Sequence, residues 1–151
     1  MADIQRGKMT LGGFEFEVDD CENTKFYVTE GEEEDGTIAV SFDVKFKRGK
    51  FGSEDVAPEM IINDFETGKE DIEDVIGSEF TVETVDEADE REDTLYIYEH
   101  EPFMNYTLKL IDKEDDIIHL TISGTAITDG YSEPEETAEF EGEFWLRYEE
   151  I

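Results

Sequence analysis

The chain has 151 residues, enough for one continuous core and too few for two comfortable ones, so residues 1–151 read as a single domain. Its 44 acids stand against 12 bases, a net charge of −32, and that field disfavours direct contact with nucleic acid or an anionic membrane. Eleven Phe, six Tyr and one Trp supply the apolar area that disordered acidic chains lack, which excludes an unfolded polyanion.

Taken in chain order, the elements are strands with one face buried, marked by period-2 alternation. Met9–Leu11 is a short candidate. Phe14, Phe16 and Val18 then alternate with Glu15, Glu17 and Asp19, and Lys25–Thr29 is a further candidate. Ile38, Val40, Phe42, Val44 and Phe46 form a longer inward series, followed by Glu59–Phe65. The stretch 68–76 (GKEDIEDVI) reads as a short helix with Ile72, Val75 and Ile76 on one side. Glu79–Val85 and Thr94–Glu99 are weaker strands. Met104, Tyr106, Leu108 and Leu110 share a face, and Ile118, Leu120 and Ile122 run on to Gly124 and Ala126. The last strand is the plainest, with Ala138, Phe140, Gly142, Phe144, Leu146 and Tyr148 inward and Glu139, Glu141, Glu143, Trp145, Arg147 and Glu149 outward.

Turn chemistry separates these runs at Gly31–Gly36, Asp112–Asp116 and Asp129–Gly130 ahead of Pro134, the second short enough for a hairpin. The Gly12–Gly13 and Gly49–Gly52 pairs read as turn glycines. The expected fold is therefore all-β: a single antiparallel β-sandwich or meander β-barrel of about nine to ten strands, with at most one short helix near residues 69–76.

No stretch is apolar for the roughly 20 residues that a membrane helix needs, and residues 1–13 hold no signal-like apolar run. Cys21 is the sole cysteine, so no intramolecular disulfide forms. The expected location is the cytoplasm.

Chemistry-bearing patterns are sparse. Acidic clusters occur over Glu83–Asp93, interrupted by Arg91, over Glu30–Asp35 and at Glu114–Asp116. Such runs are ordinarily solvated loops, and none has the EF-hand spacing of ligands and glycine, so weak divalent association is expected without a dedicated site. His100 and His119 stand apart, with no HxH or HExxH pattern for zinc. There is no GxSxG elbow and no phosphate-binding loop, and the acids around Cys21 (Asp19, Asp20, Glu22) oppose thiolate formation. No cofactor and no enzyme activity are expected.

Partner binding has the better physical case. Trp145 lies outward between Glu143 and Arg147, and Tyr96 and Tyr98 alternate with Leu95 and Ile97. Outward aromatics among carboxylates suit an interface, although cover by a second layer such as the short helix or a long loop accounts for them somewhat better. The expected surface comprises Glu83, Asp86, Glu87, Asp89, Glu90, Tyr96, Tyr98, Glu143 and Trp145. The expected function is that of an acidic protein of immunity or inhibitor type that neutralises a basic protein partner, a bacterial toxin nuclease first. The alternatives are a barrel that binds a small apolar ligand and a structural domain adapted to high salt.

Overall fold

The computed structural model describes residues 7–19, 24–31, 36–129 and 136–150. Cys21, the acids of 32–35 and the Gly130–Pro134 turn lie outside them. In order come β1 (Gly7–Leu11), β2 (Phe14–Glu17), β3 (Lys25–Glu30), β4 (Ile38–Lys45), β5 (Gly49–Phe51), β6 (Glu54–Val56) and β7 (Glu59–Glu66). There follow α1 (Ile72–Val75), β8 (Glu79–Val82), α2 (Val85–Arg91), β9 (Thr94–Tyr96), β10 (His100–Glu114), β11 (Ile117–Asp129) and β12 (Glu136–Glu150).

A closed seven-stranded barrel forms the body. Its strands run β11, β10, β9, β7, β4, β3 and β12, and the β11–β12 pairing closes the ring. Two long strands each serve two neighbours on one edge. Along β12, residues 140–144 pair with β1 and residues 148–150 with β3. Along β10, residues 100–102 pair with β9 and residues 106–109 with β8. The β1–β2 hairpin and β8 therefore flare out from the barrel wall and widen the sheet over its middle. Closure removes the free edges of the seven barrel strands, while β2 and β8 each keep one strand neighbour, and β5–β6 forms a separate small hairpin.

The inward series fill the barrel. Phe26, Phe42, Phe103, Phe144, Met60 and Leu120 are fully buried, and Tyr106 is 1% exposed. Phe46 packs on Phe144 with ring centres 5.7 Å apart, and Phe103 on Phe140 at 5.2 Å. Tyr148 completes the wall by packing against this core from the end of β12.

Several expectations are corrected. The sheet is not wholly antiparallel, because β12 meets β3 in parallel with Tyr148 opposite Phe26. Met104 does not share the face of Tyr106. A bulge there leaves Met104 without a partner on β11 and turns Phe103 inward instead. Phe14 does not follow Phe16 and Val18 into the core; it is 37% exposed and packs edge-on against Phe51 of β5. The Gly49–Gly52 segment is a strand and turn, with Gly52 at φ 67°. The predicted helix contracts to Ile72–Val75, with both end residues buried.

A second helix, α2, occupies the run read as an acidic loop. Val85 had been placed in the preceding strand, which ends at Val82. The Asp112–Asp116 hairpin forms as expected, with Glu114 opposite Ile117 and Asp115 at φ 54°, a conformation that short polar Asp tolerates.

Candidate functional site

The expected partner residues fall into three places. Asp86, Glu87, Asp89 and Glu90 lie exposed on α2, with Glu83 exposed just before it. Two of these acids serve the helix itself. Thr84 caps it by accepting from the Glu87 backbone N–H at 3.2 Å, and Asp86 and Glu87 stand in the first turn, where the helix dipole favours negative charge.

The end of the same run is buried. Asp93 is 0% exposed and accepts three hydrogen bonds, from Asn63 N–H and Arg91 Nε–H at 2.7 Å and from the Tyr106 hydroxyl at 2.5 Å. A bulge in β7, where two residues oppose one on β4, frees the backbone carbonyls of Asn63 and Asp64. Arg91 donates to both, at 2.8 and 3.1 Å, while its guanidinium lies 3.7 Å over the Phe65 ring. This cluster bolts α2 to the barrel. Burial and the Asp93 carboxylate hold the Tyr106 phenol protonated far above its ordinary range.

The second place is the end of the barrel near Tyr98. Leu95 and Ile97 point inward, which leaves Tyr96 half-buried and Tyr98 42% exposed. Tyr96 leans on His100 with ring centres 4.9 Å apart. Partial desolvation and the carboxylates of Glu54, Asp129 and Glu136 raise the pKa of the Tyr98 phenol. The result is an exposed phenol in the field of three carboxylates.

The third place is the outer face of the flared sheet, where cross-strand register lines side chains into rows. One row runs Glu17, Lys8, Glu143, Thr121, Lys109 and Glu79 across β2, β1, β12, β11, β10 and β8. The next runs Glu15, Thr10, Glu141, Ser123, Thr107 and Thr81. Trp145, half-buried, lies opposite His119, and the two rings stack 4.4 Å apart at 10°. His119 Nε2 meets Glu143 Oε2 at 2.8 Å, so the imidazole is held from both sides.

A cleft of about 960 Å³ opens over these rows, with Trp145 in its wall. A shallower depression of about 620 Å³ shares Thr10, Ser123 and Glu141 with it and extends past Gly12 and Gly13. Three lysines (Lys8, Lys47, Lys109) face four carboxylates in the main cleft (Glu17, Asp19, Glu141, Glu143). The lysines pair with Glu15, Glu17 and Glu79 respectively.

Trp145 and Tyr98 are not brought together. Tyr98 senses Glu136 at the start of β12, and Trp145 lies nine residues further along, roughly 30 Å of strand. The sequence reading missed His119 and the hydroxyl rows. Alternation with Ile118, Leu120 and Ile122 leaves His119, Thr121 and Ser123 outward, but their neighbours on β12 depend on register.

Among the described residues no group of three or more His, Cys, Asp or Glu is arranged to hold a metal ion, and no helix is long and apolar enough to cross a membrane. No family model, no curated protein and no solved structure matches the chain.

Proposed function

We propose that this chain is a non-catalytic binding protein that captures and neutralises a basic protein partner in the cytoplasm, in the manner of an immunity protein or inhibitor. One observation carries the reading: Tyr98 stands 42% exposed, with Glu54, Asp129 and Glu136 near enough to raise the pKa of its phenol. An exposed phenol amid carboxylates combines a rigid anchor with charge that steers a cationic surface into register. The exposed acids of α2 add a second negative patch to the same chain. A toxin nuclease is the first partner class to try, since carboxylates take the place of phosphates on its basic surface.

The apolar-ligand alternative has less support, because the barrel interior is packed with Phe, Leu, Ile and Met side chains and both depressions open on the outer face. The salt-adapted alternative shares the acidic surface, and the same experiment separates it. Binding to a panel of basic nucleases is measured by calorimetry at rising salt. The expected result is 1:1 association that weakens steeply with salt, with Tyr98→Ala costing more than about 1 kcal/mol. Absence of association with every basic protein, or an affinity unchanged in Tyr98→Ala, would count against it.

A further inference from the structure

The outer trough differs in kind from the rest of this surface. The chain as a whole has 44 acids to 12 bases, yet the main cleft gathers three of those bases against four acids. Its centre is hydroxylated, with Thr107 on β10, Thr121 and Ser123 on β11, and Thr10 on β1, the last separated from Ser123 by Glu141 of β12. At one end stands the Trp145 indole, backed by His119, which Glu143 holds in place.

Each simple ligand class meets this lining differently. A free anion must first cross the field of a molecule of charge −32. A cationic segment meets three lysines here and finds a more negative surface near Tyr98. An apolar ligand would bury hydroxyls and ion pairs without partners, at a cost for each. A neutral polyhydroxylated ligand avoids all three difficulties. Carboxylates and threonine oxygens accept from its hydroxyls, ammonium groups donate to them, and an indole receives the apolar face of a sugar ring. Polar groups able to bond a sugar hydroxyl recur from strand to strand along the row Thr10, Glu141, Ser123 and Thr107, at about 4.8 Å, close to the length of one pyranose unit.

We propose that this trough is a binding site for a neutral saccharide chain, laid across β1, β12, β11 and β10 with one ring against Trp145. This site is separate from the Tyr98 surface, and neither proposal depends on the other.

Trp145 is the sole tryptophan of the chain, so its emission reports on the trough directly. The experiment titrates the full chain with hexasaccharides of β-1,4-linked glucose, N-acetylglucosamine and mannose, followed by tryptophan fluorescence and calorimetry. At least one should shift the emission and bind with an affinity insensitive to salt, in contrast to capture of a basic protein. Thr121→Val with Ser123→Ala removes one half-buried and one exposed hydroxyl at little structural risk and should weaken that affinity roughly tenfold, leaving capture of basic proteins unchanged. Trp145→Ala, followed by calorimetry, should abolish it. If none of the three hexasaccharides changes emission or heat, or if binding survives the double substitution, the proposal is overturned. Neither result bears on the Tyr98 surface.

Discussion

Asp93 illustrates how one residue escapes its neighbourhood. By sequence it closes a run of seven acids in eleven positions, and by structure it is fully buried with three donors on its carboxylate. Its partner Tyr106 makes the cluster sensitive to alkali. The unfolded chain loses a phenolic proton near pH 10, whereas folded Tyr106 keeps its own well above that. Above about pH 10 the unfolded state therefore binds fewer protons than the folded one, and stability falls as pH rises, by up to about 1.4 kcal/mol per pH unit. The contribution is complete below that pH. Tyr27 and Tyr98 push in the same direction, so Tyr106→Phe should flatten the alkaline limb without erasing it. Urea midpoints between about pH 9 and pH 11 check this, and an unchanged slope in Tyr106→Phe would contradict it.

At the scale of elements, alternation was legible wherever one face meets the core. All six inward positions of β12 behave as read, from Ala138 to Tyr148. Gly142 is one of them, and its lack of a side chain has a steric reason: a Cβ there would lie 2.5 Å from the Phe144 ring, which folds back over it. Phe144 has nowhere to retreat, being fully buried against Phe46. Gly142→Ala should destabilise by about 1–3 kcal/mol through overpacking, and adding Phe144→Leu should recover part of the loss; denaturant midpoints of the single and double variants decide it.

Helix α2 was less legible. Val85 and Ala88 give only a faint helical period inside a dense acidic run. The available signal was the cap, since Thr84 and Glu87 have capping-box spacing, acids follow in the first turn and Arg91 stands in the last. The bulges at Met104 and Asn63–Asp64 left no such trace, because an extra residue is visible only against the partner strand.

For the whole molecule, charge dominates. Most of the cations are already committed: Lys25, Lys50, Lys113 and Arg91 have carboxylate partners, as do the three trough lysines. The large remaining excess of carboxylates repels itself across the surface of one small barrel. Raising sodium chloride from about 0.01 M to about 1 M shortens the Debye length from roughly 30 to 3 Å and should stabilise the fold. Each kcal/mol recovered raises the melting temperature by about 2–4 °C for a chain of this size. A melting temperature that stays flat or falls over that range would mean that local pairing outweighs the net repulsion.

Composition and period-2 patterning were enough to specify a folded, acidic, all-β chain and to sort inward from outward residues on its longest strands, because side-chain direction in a strand is a local property. Ring closure, the parallel meeting of β12 with β3, the burial of Asp93 and the stacking of Trp145 on His119 were decided only in three dimensions. Each depends on which strands become neighbours and in what register. Those pairings are chosen by packing between residues far apart in the chain, which no local pattern records.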